Sequence, residues 1–238
     1  MIRAPAERPR RFYQTVAAAP VEGGHGVMLD TRGLRTPSGA RLVLPTAPLA
    51  ELLAGEWAAQ TEVIDHAAMP ATRLAFTAAD RISAVREAAA DEIARQAGAD
   101  VLCYFAEAPK ALLERQEARW GPLLAWAEAE LGLRLERASG VLHRAQPGAS
   151  LERVKSLALA RDDFALAGLA MASGLFGSPV LALALQNDRL GGDEAFDLSR
   201  LDEAFQEEQW GIDAEAAERT ARLRAEAAML ERWFRALD

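Results

Sequence analysis

The uncharged run at residues 164–185, which lies within the longest stretch without a charged side chain, is the feature that most restricts the fold. Taken alone, it is long enough to cross a bilayer, which requires about 20 residues. However, Gly177-Ser178-Pro179 divides it, because Ser178 can cap a new helix and Pro179 suits the first helical position. At ~1.5 Å per residue, each half covers less than ~20 Å of the ~30 Å hydrocarbon core. The run therefore predicts two buried helices packed through small residues, and no membrane insertion.

The amino-terminal part of the chain has the pattern of short strands. Between residues 12 and 46, short apolar runs alternate with turn residues. Gly23–Gly26 is predicted to be a turn, and Val27–Asp30 the strand that follows it. A helix is predicted over residues 48–57, with an apolar face made of Leu49, Leu53 and Trp57. Trp57 is expected to be a buried anchor of this helix.

The remainder of the chain has helical patterning. One helix is predicted over residues 80–98, with a buried stripe made of Ile82, Val85, Ala89 and Ile93. Residues 109–131 are also predicted to be helical, with a new helix beginning at Pro122. The predicted fold class is α+β, with a small N-terminal mostly-β domain at residues 1–70 and a larger all-helical C-terminal domain at residues 71–238.

A carboxylate-rich stretch, Leu198–Gly211, lies near the end of the chain. Its apolar residues recur at helical spacing and predict a face turned toward the core: Leu198, Leu201 and Phe205. Asp193 stands at a plausible N-cap and Gly211 at a plausible stop, so a single helix is expected between them. Its other face carries Asp202, Glu203, Gln206, Glu207 and Glu208.

This acidic face has two interpretations. Carboxylates in the C-terminal half of a helix oppose its dipole, and Glu203 repels Glu207 across one turn, at a cost of about 0.3–1 kcal/mol. A solvated face tolerates that cost without any further role. Alternatively, the face is kept for a partner, with Trp210 beside it as the anchor.

Composition excludes several classes of function. The formal net charge of −8 argues against nucleic acid and against an anionic membrane surface. The single cysteine, Cys103, excludes an internal disulfide and is expected to be a buried structural thiol. No motif of a metal site, a nucleotide-binding loop or a nucleophilic enzyme is present, so no cofactor is predicted. His25 and His143 are expected to be a turn residue and a hydrogen-bonded or solvated residue.

The first eleven residues are basic, but two prolines and a glutamate argue against an amphipathic targeting helix. They also lack the apolar core of a signal peptide. We therefore expect a bacterial, cytoplasmic protein.

Several motifs together resemble the ATP12 family, whose members are assembly chaperones of the F1 part of ATP synthase. The most specific runs through the acidic stretch as Asp202-Glu203-x-x-Gln206-x-x-x-Trp210-Gly211-x-Asp213-x-Glu215-Ala216. Others are Glu56-Trp57-x-x-Gln60 and Trp120-Gly121-Pro122-Leu123-Leu124-x-Trp126-Ala127. The likeness extends over nearly the whole chain, although Phe105 stands where the family often has arginine.

The resemblance implies a chaperone and no enzyme or cofactor. Its partner would be the free α subunit of F1, whose contact surface the chaperone shields until the β subunit replaces it. The partner-binding residues implied are Asp202, Glu203, Gln206, Glu207 and Trp210. Among them Glu203 is the sharpest candidate, whereas Trp210 is equally compatible with a buried anchor that stops the helix. A monomer is expected here, and the mitochondrial matrix is the expected location of eukaryotic relatives.

Two other functions remain open from the residues alone. One is a small-molecule hydrolase or isomerase that uses the acidic helix at residues 198–210. The other is a helical scaffold that dimerises through residues 213–237, where apolar residues form a heptad stripe. Because the stripe spans only about three heptads, packing within its own domain is the preferred interpretation.

Overall fold

The computed structural model describes residues 9–140, 144–211 and 213–238. His143 and the first eight residues therefore lie outside the described parts. The chain has two compact units, one formed by the described residues up to Ser83 with Ala236–Asp238, the other by Ala84–Arg235. The division into domains at residues 1–70 and 71–238 stays a prediction.

The first unit contains a small antiparallel sheet with strand order β1-β2-β3. Its elements are β1 (Val16–Val21), β2 (Gly24–Leu29), β3 (Arg32–Gly33), α1 (Ala47–Ala58), a 3₁₀ turn (His66–Ala68), α2 (Pro70–Thr77) and a π-helical turn (Ala78–Ile82). The side chain of Thr46 caps α1 by accepting a hydrogen bond from the backbone N–H of Leu49. The predicted face of α1 is buried, and Trp57 is only 4% exposed.

The prediction that Gly23–Gly26 forms a turn was wrong in part, because β2 already begins at Gly24. His25 exchanges backbone hydrogen bonds with Leu44, at 2.9 and 2.8 Å. A Cβ atom on Gly24 would collide with the carbonyl oxygen of Leu44. The glycine is therefore needed for a close approach between two extended segments, and the turn itself is shorter than expected.

The helix predicted over residues 80–98 is interrupted. It consists of the π-helical turn followed by α3 (Ser83–Ala97), in which Val85 has non-helical dihedral angles. Wider turns shift every later side chain around the axis, so Val85 is exposed instead of buried. The buried residues of α3 are Ala90, Ile93, Ala94 and Ala97.

The second unit is almost entirely helical. After α3 it contains a 3₁₀ turn (Val101–Cys103), β4 (Tyr104–Phe105), α4 (Lys110–Leu131), β5 (Ala138–Ser139), α5 (Gly148–Leu159), α6 (Asp163–Phe176), α7 (Pro179–Gln186), α8 (Gly192–Ser199), α9 (Leu201–Trp210) and α10 (Ala214–Arg235). β4 and β5 form one parallel pair. The molecule thus has the predicted α+β organisation, with a small N-terminal strand region and a larger helical part.

The uncharged run forms two helices, α6 and α7, as predicted. Ser178 caps α7, since its Oγ accepts the N–H of Leu181 at 3.0 Å. Every residue from Pro179 to Leu185 is buried. No helix in the described parts of the chain is long and apolar enough to cross a bilayer.

No new helix begins at Pro122, which was a wrong prediction. α4 continues through this proline as a single helix of 22 residues. The apolar residues on both sides, Trp120 and Leu123, are buried, and the indole Nε1 of Trp120 donates to the carbonyl of Leu198. Packing on one continuous face therefore outweighs the backbone hydrogen bond that proline cannot make.

α10 packs the second half of its heptad stripe within its own chain. Ala227, Leu230 and Phe234 are buried, whereas Ala216 and Thr220 are only partly covered. α8 lies so close to α10 that a Cβ atom on Gly192 would collide with the backbone carbonyl of Ala227.

Candidate functional site

The carboxylate-rich stretch forms two helices, not one as predicted. α8 ends at Ser199 and α9 begins at Leu201, because Arg200 between them has non-helical dihedral angles of −119° and 24°. The hydroxyl of Ser199 donates to the carbonyl of Phe196 and so helps to close α8. The apolar stripe is nevertheless continuous, and Leu198, Leu201 and Phe205 are all buried as predicted.

Asp193 does not cap this segment. It lies in the first turn of α8, whose N-cap is Gly191. The backbone N–H of Gly192 donates to a carboxylate oxygen of Glu231 on α10, at 2.5 Å. A carboxylate distant in sequence thus supplies the acceptor that a local N-cap side chain would supply. At the other end Gly211 closes α9 as predicted, with φ of 81° and its N–H bonded to the carbonyl of Glu207.

Asp202 holds the start of α9 against α4. The amide Nε2 of Gln116 donates to Oδ1 of Asp202 at 2.7 Å, and Oε1 of Gln116 accepts the N–H of Ala106 at 2.8 Å. Gln116 is fully buried. Burial raises the pKa of Asp202, the hydrogen bond from Gln116 lowers it by less, and repulsion by Glu203 raises it slightly further. This carboxylate therefore positions the helix from its inner side.

Two further acids of α9 have intramolecular partners. Glu207 forms an ion pair with Arg200 at 2.8 Å, and Glu208 binds both terminal nitrogens of Arg115 at 2.7 and 3.0 Å. The guanidinium of Arg115 also lies 5.1 Å from the ring centre of Phe205. These pairs offset the repulsion within the helix that the sequence predicts.

The remaining three residues form what we call the outer face of α9: Glu203, Gln206 and Trp210. Their spacing of three and four residues places them on one side of the helix. All three are exposed, and Trp210 is 77% exposed. Within the described residues their side chains form no hydrogen bond or ion pair. The structure therefore divides the five candidate residues into two that hold α9 and three that face outward.

Gln116, Arg115 and Arg200 belong to this site, although sequence reasoning did not single them out. For Gln116, the sequence contains a pattern that could have indicated its role. It lies four residues from both Leu112 and Trp120, in the middle of the buried stripe of α4. A glutamine in such a position needs a polar partner.

A cavity of about 760 Å³ adjoins α9, between the segment Tyr104–Ala108 and Gly140, with Asp202 in its wall. Phe105, which stands where an arginine was expected from the resemblance, is buried and packs edge-on against Trp120 at 5.7 Å. It therefore contributes an apolar wall and no charge.

The groups available for catalysis are few in the described parts of the chain. Cys103 is fully buried, as predicted, and burial raises the pKa of its thiol far above the ordinary value. Such a thiol is a poor nucleophile. No group of three or more His, Cys, Asp or Glu side chains within the described ranges is arranged to hold a metal ion.

Comparison with known proteins identifies the family. The model of the ATP12 chaperone protein family matches residues 10–128. The structure also superimposes on the crystal structure of Atp12 from Paracoccus denitrificans with a TM-score of 0.90 and 39% identity, over 97% of this chain and 99% of the other. This chain belongs to the ATP12 chaperone family.

Two further relatives support the assignment of this ATP12 family member. The mitochondrial protein atp12 of Schizosaccharomyces pombe is 27% identical over 223 residues, which is 88% of this chain and 76% of the relative. The Atu1473 protein of Agrobacterium tumefaciens, proposed to be a chaperone, gives a TM-score of 0.91 and 40% identity, over 97% of this chain and 87% of that one. The resemblance stated from the sequence motifs is thus confirmed.

Proposed function

We propose that this protein is an assembly chaperone of the F1 sector of ATP synthase and binds the free α subunit. It would cover the surface that α later presents to β, until β takes its place. The observation that supports this proposal is the outer face of α9. Trp210 is 77% exposed, and it lies beside a glutamate and a glutamine that have no partner among the described residues. This is the composition of a protein-binding patch.

The chemistry of the client fits this patch. A free subunit of an obligate oligomer exposes a large apolar surface, which aggregates unless it is covered. The chaperone must also dissociate, which requires an interface of modest strength. One aromatic anchor with surrounding polar groups meets both needs, since exposed charges mainly increase the rate of association.

The experiment that tests the proposal is capture of the F1 α subunit by variants of the outer face. We expect Glu203→Lys to weaken capture by about tenfold or more, because it reverses a charge beside the aromatic anchor. Glu203 has no partner within the described residues, so circular dichroism and thermal unfolding should be unchanged.

Glu152→Lys is the matched control. Glu152 is an exposed glutamate of α5 in the same unit, and it forms no ion pair within the described residues. This variant should capture α like the wild type. Capture by Glu203→Lys at the wild-type level would remove Glu203 from the binding surface.

We also propose that the protein acts as a monomer in the bacterial cytoplasm. The buried half of the α10 stripe supports the first point, because Ala227, Leu230 and Phe234 have no free surface to offer a second copy. The bacterial sources of the two structural relatives support the second. Sedimentation should give a molecular mass that is independent of concentration.

A further inference from the structure

The first unit contains a groove of about 960 Å³, and none of the residues of the outer face of α9 lines it. Its floor is apolar and consists of Leu29, Leu34 and Trp57, all buried. Phe76 and Phe12 line its sides, and Phe12 is 62% exposed. A large aromatic ring in water beside an apolar floor is typical of a surface that another molecule covers.

Three arginines surround this floor: Arg32, Arg35 and Arg41. All three are exposed, and none forms an ion pair within the described residues. One has a hydrogen bond, from Nη1 of Arg35 to the carbonyl of Gly39. Asp30, which lines an adjoining pocket together with Arg32, already accepts three hydrogen bonds from the backbone and hydroxyl of residues 14 and 15. A chain with a net charge of −8 thus concentrates unpaired positive charge around one groove.

The shape of the groove favours a polypeptide over a small molecule. Small-molecule sites enclose about 70–90% of the ligand surface. The exposed Phe12 and the exposed arginines leave this groove open instead. The backbone beside the groove offers few free partners, because Leu34 and Thr36, which follow β3, already bond to residues 40–42. The contacts to an occupant would therefore come mainly from the aromatic and arginine side chains.

We propose that this groove binds an extended, acidic segment of the client polypeptide, with an apolar side chain on the floor and carboxylates among the arginines. The proposal rests on the proposed chaperone function and adds a second contact to it. Two weak contacts on one client raise the overall affinity and still allow release, because each can open separately.

The test measures binding of overlapping 15-residue peptides, which together span the F1 α subunit of the same organism, to the full chain. We expect the wild-type protein to select peptides with Asp or Glu next to aromatic or aliphatic residues. Arg32→Glu/Arg41→Glu should weaken their binding by about tenfold or more, since two attractive charges become repulsive. Added salt should weaken the binding by the wild-type protein.

Two further variants separate this role from a structural one. Arg10→Glu/Arg81→Glu, which changes exposed arginines of the same unit outside the groove, should bind the peptides within about twofold of the wild type. Phe12→Ala removes the exposed aromatic ring of the groove. It should weaken peptide binding by roughly three- to tenfold with little change in the unfolding temperature, because the ring is 62% exposed in the free protein.

The outcomes are distinct from those of the α9 experiment. Capture of whole α by the wild-type protein, combined with no peptide binding or with binding that the groove variant retains, would overturn the groove proposal alone. Failure to capture α at all would overturn the chaperone function. Binding of indole-3-acetate, a small aromatic carboxylate, as tightly as the best peptide would also overturn the groove proposal, because the chain of the peptide would then add nothing.

Discussion

At the scale of single residues, Gln116 decides how α9 is held. Among the described residues, it alone links Asp202 to Ala106: its amide N–H donates to the carboxylate of Asp202, and its amide oxygen accepts the backbone N–H of Ala106. Both of its polar atoms are used and the side chain is fully buried. Its loss would therefore leave two groups of the site without partners.

We expect Gln116→Leu to reduce the free energy of unfolding by about 2–4 kcal/mol, because an unpaired buried polar group costs about 1–3 kcal/mol. Chemical denaturation measures this change. Gln116→Leu/Asp202→Leu should cost less than the sum of the two single changes, since only the N–H of Ala106 then remains unpaired. Strict additivity of the two changes would show that the bond has no energetic role.

Asp100 gives a prediction about pH. It is completely buried, accepts the N–H groups of Leu102 and Val180, and burial raises its pKa from 3.8 to about 6. Between these two values the folded state binds more protons than the unfolded state. The contribution of Asp100 to stability is therefore greatest below about pH 4 and falls as the pH rises through about 6.

The measurement compares unfolding free energies of the wild type and Asp100→Asn from pH 4 to pH 7. The advantage of the wild type should decrease by on the order of 1–3 kcal/mol over this range. A constant difference between the two proteins would contradict the raised pKa.

At the scale of elements, local signals predict some helices and miss others. Ser178-Pro179 is a local cap, and α7 begins where it predicts. α1 begins at Ala47, one residue before the predicted start, with Thr46 as its cap. The start of α8 depends on Glu231, 39 residues from Gly192, so no local pattern indicates it. Likewise, the π-helical turn contains Asp80, whose carboxylate binds the backbone N–H and hydroxyl of Ser38. Such tertiary contacts explain why the phase of α3 could not be predicted.

The contact between α8 and α10 supplies a prediction at this scale. We expect Gly192→Ala to reduce the free energy of unfolding by about 1–3 kcal/mol, the usual cost of overpacking, because the new Cβ atom meets the backbone of Ala227. Thermal or chemical unfolding measures the change.

Gly174→Ala is the matched control for this change. Gly174 is an exposed helical glycine, and a Cβ atom there would meet no other atom within 4 Å. This variant should stabilise the protein by about 0.4–1 kcal/mol, because alanine loses less conformational entropy on folding. Equal effects of the two substitutions would contradict the close packing of α8 on α10.

At the scale of the whole molecule, the sequence predicts the family and the α+β organisation better than it predicts the site. The motif from Asp202 to Ala216 is continuous in sequence, so it can be recognised without a structure. The role of each acid within it depends on α4, which lies about 90 residues earlier and brings Arg115 and Gln116 to α9. Only the structure shows that Trp210 is exposed instead of stopping the helix as a buried anchor.

The most direct test replaces Trp210 of the full chain with photoreactive p-benzoylphenylalanine. Unfolded F1 α subunit is diluted into a solution of this variant, and the mixture is illuminated at once. Mass spectrometry then identifies the cross-linked product. We predict an adduct with the α subunit from position 210, and none above background from the same substitution at Glu152. Equal yields from both positions, or no α adduct from position 210, would contradict the claim that the outer face of α9 binds the client.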